Sequence, residues 1–164
     1  GLLGMRPDDE RIPDSFEIAR KMSLSYSFGI ANLTSAHPNS VVLEVKGKSG
    51  RTLEVQACSL GGGRIMINRL DGLDVNCSCE IPTLIVHNLD QPGHVAEVTS
   101  MLAHKSVNIA NMSLYRDKRG GSAVMVVEMD QPLPKESLEW LEHLEGIVKV
   151  TYINVTEGEE DDVL

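Results

Sequence analysis

The sequence contains no run of about 18 apolar residues, the minimum for a helix that crosses a bilayer. Gly1-Leu2-Leu3-Gly4 is too short and lacks a basic flank, so it is not expected to be a signal peptide. Basic charge is scarce, with 15 Lys and Arg against 24 Asp and Glu and a net charge of −9. A field of that sign repels a phosphate backbone, and the densest basic stretch, Arg116-Asp117-Lys118-Arg119, has an acid inside it. Nucleic acid is therefore not an expected partner. Neither GxGxxG nor GxxxxGK[ST] is present, so no nucleotide motif can be read. Cysteines number only three, Cys58, Cys77 and Cys79. An odd set without a leader argues against a disulfide framework and for a reducing cytoplasm. Gly1 is not an initiating methionine, as expected of a fragment or a processed chain.

What is present suits a packed globular protein. The 164 residues are 41% apolar and 24% charged, enough for one ordinary domain or two small ones. Three segments are expected: 1–80, 81–155 and an acidic tail at 156–164, where five acids crowd nine residues and favour a solvated, extended chain. No internal repeat relates the first two.

The first segment reads as a short helix followed by an antiparallel meander. Asp14 or Ser15 can cap a helix carrying Phe16, Ala19 and Met22 at three-residue steps. Strands are expected at 24–30, 41–46 and 52–57, the last two joined by the hairpin signal Gly47-Lys48-Ser49-Gly50. Residues 64–70 alternate, with Ile65, Ile67 and Arg69 on one side and Met66, Asn68 and Leu70 on the other.

The second segment has a sharper order. A short apolar strand at 83–86 precedes the turn Asp90-Gln91-Pro92-Gly93, and Pro92 suits the first turn of a helix. Val95, Val98, Met101 and Leu102 then recur at helical spacing. Strands at 107–115 and 123–129 flank Gly120-Gly121; Pro134 opens a helix with Leu138, Leu141 and Leu144, and Gly146 ends it before a strand at 147–155. The order βαββαβ is the ferredoxin-like unit. The expected class is α+β: an antiparallel-sheet domain with a short helix, then a βαββαβ domain with both helices on one sheet face and the other face free to meet a partner.

The first turn of the second segment is the main candidate site. The amides after Pro92 open a helix N-terminus, where unpaired donors and partial positive charge suit a small carboxylate. Gly93 permits close approach, Asn88, Gln91 and His94 flank it, Asp90 can balance an ammonium group, and Asn108 can lie alongside. Together they suit an amino-acid zwitterion; the alternative is that Asp90 only caps the helix and Asn108 only ends a loop. A second candidate is Ser59-Leu60-Gly61-Gly62-Gly63-Arg64, where three glycines can form an anion nest or simply a bulged hairpin turn, with His37 and Asn39 as further ligand candidates.

Metal and catalytic centres are not expected. Cys77 and Cys79 share one face if extended, but a site needs more ligands, and only Cys58 remains. The five histidines are scattered, with His94 and His104 at no helical metal spacing. No nucleophile–base pair can be read, so no catalytic residue is assigned and the chain reads as a binding module.

At Asn88-Leu89-Asp90-Gln91-Pro92-Gly93-His94 and Val107-Asn108-Ile109-Ala110 the second segment resembles an ACT domain, a regulatory module that binds amino acids, often between paired domains. Serine-binding members line the first loop with polar residues and place an Asn in the VNI motif; Asn88, Asp90 and Asn108 match, although several carry His where this chain has Asn88. Gly4-Met5-Arg6-Pro7-Asp8-Asp9-Glu10-Arg11-Ile12-Pro13-Asp14-Ser15 and Ser59-Leu60-Gly61-Gly62-Gly63-Arg64-Ile65 are similar to the β chains of iron–sulfur L-serine dehydratases. The resemblance implies an allosteric-substrate-binding domain followed by an ACT domain. It implies a holoenzyme that converts L-serine to pyruvate and ammonia with a 4Fe-4S cluster. The cluster would be held by an α-chain partner, with no cofactor on this chain, and a homodimer would form through ACT domains. The family's PSSSHT motif is missing, so an N-terminally truncated chain is expected. The alternatives are the regulatory part of a D-3-phosphoglycerate dehydrogenase and a free-standing ACT sensor.

Overall fold

The computed structural model describes residues 2–6, 8–34 and 36–154; the expected acidic tail at 156–164 lies outside the described residues. The chain divides into two compact units, Gly1–Thr34 and Ser35–Leu164.

In the first unit a 3-10 turn at Ile12–Asp14 leads into α1, Ser15–Lys21. Asp14 stands at the N-cap position without a side-chain hydrogen bond. The helix stops at Ser23, whose left-handed backbone (φ 57) lets Leu24 donate to the Ala19 carbonyl at 2.9 Å. The strand expected at 24–30 does not form. Tyr26 and Phe28 do share a side, as alternation requires, but they fold onto Phe16, with ring centroids 5.3 and 6.1 Å away. Aromatic packing replaces a ladder there, because no strand among the described residues pairs with the segment.

The second unit contains two four-stranded antiparallel sheets. The first is a meander of β1 (Ser40–Lys46), β2 (Thr52–Gly61), β3 (Arg64–Leu70) and β4 (Leu73–Cys77). The Gly47–Gly50 hairpin forms, and Gly62-Gly63, both at positive φ, make the second turn. Strand β4 escaped the sequence reading, although Asp71-Gly72 takes the left-handed pair (φ 46 and 84) that a two-residue hairpin demands. The strict alternation expected in β3 is corrected by a register shift between Ile67 and Arg69, which buries Ile67 and Leu70 together.

The second sheet contains β5 (Thr83–Leu89), β6 (Ile109–Arg116), β7 (Ser122–Met129) and β8 (Ile147–Ile153) in the order β6-β7-β5-β8. With α2 (His94–His104) and α3 (Lys135–Glu142) it completes the βαββαβ unit. Pro92 sits in the turn just before α2, and Gly93 takes the N-cap position. The helices cover one face, burying Leu84, Val86, Val98, Leu102, Met125 and Leu141.

The opposite face is not free, which corrects the expectation. Ile85, Val124 and Val126 pack against Ile67, Leu70, Val75 and Cys77 of the first sheet. Tyr115 accepts the Asn76 amide at 3.1 Å across the same junction, and Lys149 of β8 bonds Asp71 and, at 3.0 Å, the Thr52 carbonyl. The physical reason lies in the strand sequences. Leu84-Ile85-Val86 and Ala123-Val124-Met125-Val126-Val127 are continuously apolar, as in strands buried on both faces. Among the described residues no helix is long and apolar enough to cross a membrane.

Candidate functional site

The corner where β5 turns into α2 is fastened on both sides. The Leu89 amide donates to Gly146 at 2.9 Å, and the Asp90 amide donates to Gly121 at 2.9 Å. Gly93, at φ 111, begins α2; no side chain caps the helix, and a Cβ at Gly93 would meet open space. The first helical amides are therefore free to face an anion beside an unobstructed backbone.

Two side chains at this corner are buried with unused polar atoms. Asn88 is 4% exposed; its Nδ2 donates to the Leu89 carbonyl at 2.6 Å, and its Oδ1 has no partner. His94 is 7% exposed; its Nδ1 lies 3.2 Å from Glu97 Oε2, while its Nε2 has no partner. Gly146 leaves room for that ring, since a Cβ there would fall 2.5 Å from Nε2. Buried polar atoms without partners are costly, so their presence beside an uncapped helix start marks a place suited to a polar ligand. Gln91 is exposed, and its amide closes a tight turn onto the Leu89 carbonyl.

Asp90 does not cap α2. It accepts from the Gly120 amide at 2.9 Å and from Arg116 at 3.0 Å, so it ties down the β6–β7 turn. The Gly120 amide, with the Arg116 guanidinium, holds its carboxyl below the usual carboxylate range. Within one chain Asn108 does not lie alongside Asn88. Asn88 faces Ala123 of β7, whereas Ile109 faces Met129, six residues along the strand or about 20 Å. At that far end Asn108 Nδ2 donates to Asp130 at 2.6 Å, and Gln131 accepts the Asn108 amide at 2.7 Å.

The glycine loop is the bulged hairpin turn. Gly61, Gly62 and Gly63 all have positive φ, with a register shift between Ser59 and Gly61. His37 and Asn39 come to the same end of the sheet, because the Ser59 amide donates to the Asn39 carbonyl at 3.0 Å. The His37 ring, however, accepts the Asn39 amide at 3.2 Å, and all five residues are exposed.

A cavity of about 520 Å³ lies elsewhere, between the β1–β2 hairpin, β8 and α3. Arg51, Thr52, Leu53, Leu138, Glu142 and Tyr152 are among its walls, and none of them is a site residue expected from sequence. Arg51 there donates to the Val150 carbonyl and lies 3.9 Å from Glu142. A lone arginine after a hairpin carries no sequence signal of that role.

An iron–sulfur cluster does not fit the thiols of this chain. Ala57, Ile67 and Cys77 lie in register across the sheet, so the neighbouring Cys58 points to the opposite face from Cys77. Among the described residues no group of three His, Cys, Asp or Glu side chains is placed to hold a metal ion.

The fold and the corner together define a class of protein, the ACT-domain proteins, and the ACT domain model matches residues 82–145. Over nearly the whole chain there is also similarity to two dehydratase subunits. The "Probable L-serine dehydratase, beta chain" of Bacillus subtilis (strain 168) is 33% identical over 93% of this chain and 69% of its own length. The "L-serine dehydratase, beta chain" of Peptoniphilus asaccharolyticus is 31% identical over 94% and 70%. A D-3-phosphoglycerate dehydrogenase of Methanocaldococcus jannaschii is 31% identical over 55% of this chain and 17% of its own length. The chain belongs to the family of L-serine dehydratase beta chains.

Proposed function

We propose that this chain serves as the regulatory β chain of an L-serine dehydratase, sensing a small α-amino acid, with L-serine the first candidate. The reaction assigned to the assembled enzyme is L-serine to pyruvate and ammonia. Its iron–sulfur chemistry belongs to an α-chain partner, in keeping with thiols here that cannot converge on a cluster. The chain itself would contribute no catalytic group, and the assembly would reside in the cytoplasm.

One observation carries the sensing role: two buried unpartnered atoms, Asn88 Oδ1 and His94 Nε2, beside the uncapped start of α2. The α2 amides would take the effector carboxylate, while Asn88 and His94 would take its ammonium or hydroxyl group. Asn108 can complete such a site only from a second copy. Strand β6 is the outer strand of its sheet, and antiparallel pairing of two β6 strands sets the start of one beside the Arg116 end of the other. The Asp90–Arg116 pair sits at that end. A homodimer through β6 therefore follows from the same reading. The dehydratase subunit matches at 33% identity over 69% of its own length, whereas the dehydrogenases match over 17% and 26% of theirs, the longer match at only 24% identity, which favours the dehydratase assignment.

Calorimetric titration with L-serine, D-serine and the other amino acids tests the sensing role. Saturable binding of one L-amino acid, weakened by Asn88→Ala and by Asn108→Ala in a folded protein, is expected. No binding by any of them would remove it. Pyruvate formation by this chain without an α chain would overturn the non-catalytic assignment.

A further inference from the structure

Cys77 is the last residue of β4, and Cys79 follows in the link that carries the chain into β5. Both are buried in the core between the two sheets, and their sulfurs are 3.0 Å apart. In an extended run, residues two apart are separated by about 6.7 Å along the strand, too far for such contact. Here Cys79 adopts a left-handed backbone (φ 54), unfavourable for a residue with a Cβ. The link thus holds strained backbone at the place where the two thiols meet.

The separation decides what the pair can do. Two thiolates on one zinc-like ion, with bonds of about 2.3 Å in tetrahedral geometry, stand about 3.8 Å apart. At 3.0 Å the angle at the metal would close to about 80°, which disfavours a metal clip. A disulfide needs the sulfurs to approach by about 1 Å more. Cys58 cannot compete for either thiol, since it points to the other face of the first sheet.

We propose that Cys77 and Cys79 are a reversible dithiol–disulfide pair, oxidised by a hydroperoxide, at the covalent joint between the two sheets. Cys77 is the attacking sulfur. The contact with the Cys79 sulfur holds its thiol below the ordinary value, while the same contact and burial push Cys79 up. Cys77 sulfur attacks the terminal peroxide oxygen, the O–O bond breaks, and the alcohol leaves with a proton. Cys77 is then a sulfenic acid. Cys79 sulfur displaces its hydroxyl, which departs as water with the Cys79 proton. The net change is two thiols and one hydroperoxide to one disulfide, one alcohol and one water. An external thiol reverses it by exchange.

The test uses the whole chain and hydrogen peroxide as the probe, followed by denaturation, alkylation and tryptic mass spectrometry. Trypsin leaves Cys77 and Cys79 together in the peptide 70–105 and Cys58 in the peptide 52–64. Expected is a 70–105 peptide lighter by two hydrogens and closed to alkylation, restored by dithiothreitol, with Cys58 alkylated throughout. Cys77→Ser and Cys79→Ser should each abolish the change while far-ultraviolet circular dichroism stays native. If either variant fails to fold, the wild-type peptide still decides the matter. Full alkylation of both thiols after peroxide, a disulfide involving Cys58, irreversible sulfinic acid at Cys77, or a stoichiometric metal ion on the purified chain would each overturn the proposal.

Discussion

Gly146→Ala offers a direct test of how the corner at α2 is built. The perturbation adds one methyl group at a position with φ 81, and that methyl would meet His94 Nε2 at 2.5 Å and Cε1 at 2.7 Å. Two costs follow. Left-handed backbone at a residue with a Cβ costs about 1–2 kcal/mol. Overpacking a buried ring costs about 1–3 kcal/mol, because the ring must shift by roughly 1 Å. Moving it also strains the 3.2 Å contact with Glu97. The expected total is about 2–5 kcal/mol, a fall in Tm on the order of 10 °C for a chain of this size. Urea unfolding followed by circular dichroism measures it, and a double-mutant cycle with His94→Ala separates the two parts. In the His94→Ala background only the backbone part should remain, leaving a coupling of about 1–3 kcal/mol. An equal cost in both backgrounds would refute the close packing of His94 on Gly146, and a cost under about 0.5 kcal/mol would refute the backbone argument too.

Three further outcomes are expected. Ile85→Ala empties a fully buried position between the two sheets and should cost about 2–5 kcal/mol by urea titration. Burial depresses the His87 pKa, against the pull of Asp71, so the folded protein favours the neutral ring; stability from this residue is complete above pH 6.5 and declines as pH falls below it, and His87→Gln should flatten that part of the pH–Tm curve. Asp90→Ala removes the acceptor that holds the β6–β7 turn, so hydrogen exchange at the Gly120 amide should accelerate while the Leu84 amide, in the sheet centre, is unchanged.

The βαββαβ order was legible because each element carries its own local chemistry: Gly120-Gly121 between two apolar strands, Pro134 before the Leu138 and Leu141 steps, Gly146 before the last strand. The stacking of the two sheets was written in the same residues but read differently. Val124 and Val126 point one way and Met125 and Val127 the other, and a strand apolar on both sides has two faces to cover. Strand β4 was missed because Leu73-Asp74-Val75-Asn76-Cys77 is short and acidic, and its Asp71-Gly72 turn was passed over. The site was legible only in part. Asn88, Gly93 and His94 lie within seven consecutive residues, so local pattern sufficed. Asn108 is separated from them by a helix whose far end returns at the opposite side of the sheet, and only register reveals that. The thiol contact at Cys77 and Cys79 depends on one left-handed residue, which residue type alone does not announce.

Ile85, Val124 and Val126 turn what would be a sensor's open flank into an internal wall. Whatever meets this sheet must then meet it along its rims, because the helices already cover one of its faces and the meander the other. Lys149, bonded at once to Asp71 and to Thr52, makes that wall a riveted one.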